Sequence, residues 1–154
     1  MSAWRASCAT ETRLSVVLPD TSIWVAYLRP GAADITRELG DALERGQVLT
    51  CGPVVAELVA GARHPDRPTL LGSLAGLPWS DLDRSAWQAV GLLAAELRDG
   101  GEALPLTDLE IAVAAHTAGA TLWTTDHHFQ RLIPRLGGLE LRLTHSPPTT
   151  NPKD

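Results

Sequence analysis

The feature that most constrains this chain is an alternation. Short apolar runs, several rich in β-branched residues, take turns with longer stretches of helical period. "LSVVL", "QVLTC", "LPWSDL", "ATLWTT" and "LELRLT" read as strands. The intervening stretches Ser22–Leu28, Ala33–Arg45, Pro53–Ala62, Asp66–Leu74, Arg84–Arg98, Asp108–Ala118 and His127–Arg135 read as helices. Gly46 stops the second helix, Pro53 opens the third, and Gly100-Gly101 closes the long one. Strands that alternate with helices predict an α/β fold, a central parallel sheet with helices on both faces. In such sheets, sites form beyond the carboxyl ends of the strands.

The 154 residues suit one domain with a real core. Residues 1–13 are polar and aperiodic and are expected to form a flexible N-terminal arm. Residues 146–154, "SPPTTNPKD", are expected to be a disordered C-terminal tail, which leaves 14–145 as the domain. "LSVVL" is too short for a signal peptide, and no run is long enough to span a bilayer. Cys8 and Cys51 make neither a disulfide framework nor a metal-type spacing. A cytoplasmic protein with no membrane contact is expected.

The formal charge of −5 counts against a general nucleic-acid binder. It conceals an imbalance among the cations: Lys153, in the tail, is the only lysine. Chemistry that needs a lysine is therefore nearly excluded.

Four carboxylates fall near the informative edge. Asp20 follows the first strand, in "VVLPDTSIW", and reads as a helix cap or as a site acid. Glu57 lies in "PVVAELVAG", where every neighbour is apolar. A helix apolar all round is buried, and an unpaired buried carboxylate costs several kcal/mol or takes up a proton, so either a bound cation or an escape to the surface is required. Asp108 lies in "PLTDLEIAVAAH", where Thr107-x-x-Glu110 reads as a capping box that leaves Asp108 free. Asp126, in "TLWTTDHHF", follows another strand and could cap the next helix. Each has a bland reading alone. Together at one rim they would repel one another unless a divalent cation held them. Hard oxygen donors without cysteine favour Mg²⁺ or Mn²⁺. Such a cation suits phosphodiester hydrolysis. Ser22 or Thr21 could orient a carboxylate or a water.

These blocks, in this order, resemble the PIN-domain ribonucleases, and specifically the VapC-type toxins of bacterial toxin–antitoxin pairs. The resemblance runs through "VVLPDTSIW", "PVVAELVAGAR" and "PLTDLEIAVAAHTAGATLWTTDHHF", and covers approximately residues 14–144. It implies a Rossmann-like PIN fold. It implies site acids at Asp20, Glu57, Asp108 and Asp126 as metal ligands, with Ser22 as the hydroxyl partner of Asp20. It further implies Mg²⁺- or Mn²⁺-dependent endoribonuclease activity that inhibits translation, usually at tRNA or rRNA. A small VapB-type antitoxin and a homodimer are the implied partners. The chain departs from many relatives at His128, where they carry a second carboxylate before phenylalanine.

Other residues have plainer readings. His127 and His128 point to different faces, so at most one could be a ligand facing the acids; a solvated or core-edge imidazole is the expected reading for each. Arg131 and Arg135, at i and i+4, are expected to form a solvated basic face. Arg63 reads as a phosphate contact or an exposed ion pair. Trp24, Trp87 and Trp123 are expected in the core or a dimer interface. Two other classes compete. A haloacid-dehalogenase-like phosphatase wants D-x-D, where this chain has Asp20-Thr21-Ser22, and both it and a receiver domain want a core lysine. A PIN-like module that only binds a partner keeps the same acids and is separable by metal-dependent RNA cleavage.

Overall fold

A computed structural model describes residues 15–145, so the expected arm and the expected tail both lie outside the described residues. Its elements alternate as the periodicity requires. They run β1 (Val17–Pro19), α1 (Thr21–Leu28), α2 (Ala33–Glu44), α3 (Gly52–Gly61), α4 (Arg67–Ala75), α5 (Arg84–Asp99), α6 (Leu106–Ala118), β2 (Thr121–Thr124) and β3 (Leu141–Leu143). Short 3₁₀ segments cover His64–Asp66 and His127–Leu132.

The three strands form a parallel sheet in the order β1-β2-β3. "QVLTC" and "LPWSDL" extend it as bridged segments rather than full strands: Val48 pairs with Val17 and Trp79 with Thr50, both parallel. Their ladders are short but real, with Leu49 N–H on the Val17 carbonyl at 2.9 Å and Ser80 N–H on the Thr50 carbonyl at 2.8 Å. Successive residues of β1, and Leu122, Trp123 and Thr124 of β2, are all buried. A strand buried on alternate and intervening positions alike is covered on both faces.

The helices follow from local chemistry. Asp20 caps α1 by accepting the Ile23 N–H at 3.2 Å, and Asp83 caps α5 by accepting the Ala86 N–H at 2.8 Å. In α6, Ile111 to Ala115 are all buried, as befits a helix packed between α5 and the sheet. Gly119 ends α6 in the left-handed region, at φ +64°, and turns the chain directly into β2. This reversal matters for the site. Because α6 delivers its carboxyl end to the start of β2, its amino end, with Asp108, lies back toward the carboxyl edge of the sheet.

Several expectations are corrected. The Thr107/Glu110 capping box does not form: α6 begins at Leu106, its N-cap is Pro105, and no side chain caps it. Proline fixes the chain for helix entry two residues earlier than the Thr-x-x-Glu pattern suggests. The helix after Asp126 is a 3₁₀ segment ending at Leu132, not an α-helix to Arg135. Trp24 and Trp123 are buried, but Trp87 is 51% exposed and so is not core. α3 is not buried all round, since Ala56, Ala60 and Gly61 are exposed.

Candidate active site

β1 and β2 run side by side with Pro19 opposite Trp123, so the next residues, Asp20 and Thr124, meet where the strands end. The Asp20 N–H donates to the Trp123 carbonyl at 2.8 Å, which locks this register. The Asp20 side chain is buried and its oxygens are divided. Oδ1 accepts from the Ser22 hydroxyl and the Ile23 N–H, and Oδ2 accepts from the Thr124 hydroxyl. Asp20 is therefore a cap and a site acid at once. Burial raises its pKa, while the hydrogen bonds from Ser22, Thr124 and Ile23 oppose that rise.

The same hydroxyls tie in the next acid. Ser22 Oγ accepts the Thr125 N–H at 3.0 Å, and Thr124 Oγ1 accepts the Asp126 N–H at 2.9 Å. Asp126 then caps the 3₁₀ segment, taking the His128 N–H on Oδ1 at 2.9 Å. Thr124 is the residue the sequence reading missed. Its one visible signal was the repetition of a hydroxyl pair beside an acid, Asp20-Thr21-Ser22 and Thr124-Thr125-Asp126, at two strand ends.

Glu57, on α3, is half-buried and accepts a hydrogen bond from the Thr21 hydroxyl. The expected unpartnered buried carboxylate is thus corrected: the first residue of α1 supplies a donor, and part of the group reaches solvent. Asp108, at the third position of α6, is also half-buried. Its carboxyl is pushed up to about 6, first by burial and then by the charges of Glu57, Asp126 and Asp20, with His128 pulling the other way. The other three acids thus all act on Asp108.

The histidines separate. The His128 imidazole is half-exposed, but its Nδ1 stands 3.2 Å from Asp126 Oδ1, so it is not simply solvated. His127 is exposed beside it, the two rings 4.4 Å apart. Arg63 makes an exposed ion pair with Asp66 at 3.5 Å. Arg131 and Arg135 do not form a free solvated face, because both pair with Glu102. Cys51 is a free, buried thiol pushed up to about 11, chiefly by burial.

The donor set fits a hard dication by charge. Among the described residues, no arginine or lysine pairs with Asp20, Glu57 or Asp108, and Asp126 pairs only with His128. The charge of the cluster is left to a proton or a cation. No three of the described acidic, histidine or cysteine side chains form a ready-made coordination shell, however. Mg²⁺ does not need one. It keeps several waters and binds through one or two carboxylates plus substrate phosphate.

A sequence model of the PIN domain matches residues 17–133, most of the chain and all of the acids above. The chain belongs to the PIN domain family. No curated protein matches its sequence at a significant level. The PIN fold is shared with solved structures at low identity. VapBC2 of Rickettsia felis, bound to a DNA fragment from its promoter, matches with TM-score 0.67 and 22% identity, over 83% of this chain and 98% of that one. VapBC from Salmonella typhimurium, bound to DNA, matches with TM-score 0.63 and 22% identity, over 83% and 97%. VapBC-5 of Mycobacterium tuberculosis matches with TM-score 0.58 and 23% identity, over 86% and 99%. Among the described residues of this PIN domain, no helix is long and apolar enough to cross a membrane.

Proposed function

We propose that this PIN domain is a metal-dependent endoribonuclease, the VapC-type toxin of a type II toxin–antitoxin pair, which hydrolyses RNA phosphodiester bonds and so inhibits translation. The observation that carries this reading is the state of Asp108. Burial and then three other acids push its carboxyl up to about 6, and among the described residues no arginine or lysine pairs with it. Natural structures rarely leave such repulsion unused.

Asp20, Asp108 and Asp126 are the residues that would hold Mg²⁺ or Mn²⁺, with Glu57 beside them. A bound cation of this kind supplies water activation and stabilises charge on the phosphate and leaving oxygens. The chain's own groups prepare the place. Ser22 and Thr124 fix both Asp20 oxygens, so that carboxylate spends no rotamer freedom on binding. Thr124 and Ser22 also fix the backbone that presents Asp126. Thr21 holds Glu57 from the other side.

The solved VapBC structures and the acidic surface support the partner reading. A rim of uncompensated acids attracts a basic peptide, and that attraction weakens with salt. A small VapB-type antitoxin placing an arginine or lysine at the acids would inhibit by competing with the cation. Trp87, half-exposed on α5, offers apolar surface to a homodimer. The reading belongs in the cytoplasm, where tRNA and rRNA are.

The test is cleavage of a labelled RNA by the purified protein. Cleavage is expected with Mn²⁺ or Mg²⁺, none with chelator, and none by the Asp20→Asn variant. A folded wild-type protein that leaves tRNA and rRNA intact with either metal would instead favour a PIN-like module that only binds a partner.

A further inference from the structure

A nuclease site made of acids repels its own substrate, and the chain as a whole carries −5. Resting on the reading above, some nearby cation must hold the RNA backbone. We propose that Arg131 is that anchor, binding a phosphate of the RNA strand beside the cleaved bond.

The argument starts from the 3₁₀ segment His127–Leu132, which begins directly after Asp126. In a 3₁₀ helix, side chains three apart eclipse. His128 and Arg131 therefore share a face. His128 marks which face it is, since its Nδ1 lies 3.2 Å from Asp126 Oδ1. Arg131 sits one turn farther out on that face, about 6 Å along the axis at the usual 3₁₀ rise.

The two arginines of this region are held differently. Arg135 is committed. Its Nη1 donates to the Arg131 carbonyl at 2.7 Å, its Nη2 to Glu102 Oε1 at 3.0 Å, and its side chain is 24% exposed. It fastens the backbone that carries Arg131. Arg131 itself only approaches Glu102 Oε2, at 3.7 Å through Nε, and is 45% exposed. That is a charge contact without a hydrogen bond. Its guanidinium donors remain for a ligand, and a guanidinium matches phosphate in a two-pronged fashion. Two guanidiniums on one carboxylate also leave one positive charge in excess.

The experiment measures binding of a fluorescein-labelled, mixed-sequence single-stranded RNA by anisotropy, in chelator and over a range of salt. Arg131→Ala should weaken binding about tenfold, the scale of a lost charged hydrogen bond. It should also lower the slope of log K against log salt by about 0.7, the share of one single-strand phosphate contact. Arg131→Lys keeps the charge and should restore most of the slope. Arg45→Ala, at the opposite, amino edge of the sheet, should change neither. Glu102→Gln gives a sign that no purely structural role predicts. It removes the competing charge and should tighten binding roughly twofold to fivefold, the range of an exposed ion pair. An Arg131→Ala slope equal to wild type overturns the anchor, as does a wild type that binds no RNA. Loss of antitoxin binding with RNA binding intact would assign Arg131 to a protein partner and also overturn it. Wild-type cleavage in Mn²⁺ is scored separately. RNA binding with the expected slope change but no cleavage would defeat the nuclease reading and leave the anchor standing.

Discussion

The hydroxyl of Thr124 donates to Asp20 across 104 positions of sequence, and the same oxygen accepts the N–H of Asp126. One buried hydroxyl thus connects the acid after β1 to the acid after β2. It has no other polar outlet, because Thr124 is fully buried.

Thr124→Val keeps the shape and deletes that connection. Asp20 then loses a donor in a buried place, and Asp126 N–H loses its acceptor. A cost of about 1–3 kcal/mol is expected from the unsatisfied groups. Chemical denaturation should show that loss, and cleavage should fall with it. A variant with wild-type stability and full cleavage would remove Thr124 from the account.

Asp108 sets a pH dependence whose sign can be worked out. Its folded pKa is raised, from 3.8 to about 6, so the folded state holds its proton longer than the unfolded chain does. The contribution to stability is full below about pH 4 and is lost as pH rises through about 6. Asp20 is shifted in the same direction. The cation-free protein should thus lose part of its stability across this window, and Mg²⁺ or Mn²⁺ should return it. The thermal shift caused by either metal should be larger at pH 7.5 than at pH 5, and much reduced in Asp108→Asn. Equal shifts at both pH values would contradict this.

Glu57→Gln retains an acceptor for Thr21 while removing one of the charges that raise Asp108. In chelator at neutral pH the variant should melt at or slightly above the wild-type temperature, and it should cleave poorly. A clear drop in melting temperature would mean that Glu57 serves the fold and not the site.

His128 Nδ1 stands 3.2 Å from Oδ1 of Asp126, one of the acids that would hold the cation. His128→Ala frees that oxygen and is expected to leave Mg²⁺ affinity unchanged or tighter by calorimetry. A several-fold loss would make the imidazole a ligand in its own right.

The placement of two of these acids at strand ends was legible in the sequence. The alternation of runs placed Asp20 and Asp126 after strands, and those strands are β1 and β2. What sequence could not convey was register. Thr124 and Thr125 are adjacent and chemically alike, and only the pairing of Pro19 with Trp123 decides which hydroxyl meets Asp20. The surroundings of Glu57 misled for a related reason. Its apolar neighbours are local in sequence, whereas its donor, Thr21, comes from another helix, 36 positions away. The Thr107/Glu110 pattern failed because Pro105 had already begun the helix. The Arg131–Arg135 spacing suggested a free face because their shared partner, Glu102, lies in the loop before α6.

The central claim is that Asp20, Asp108 and Asp126 share one divalent cation. Crystals grown with Mn²⁺ and measured at its absorption edge test it most directly. The account predicts a single strong anomalous peak at the carboxyl edge of the sheet, held by Asp20, Asp108 and Asp126 directly or through one water, and absent in Asp20→Asn. A peak elsewhere on the chain, or none at millimolar Mn²⁺ with the acids unchanged in position, would contradict it.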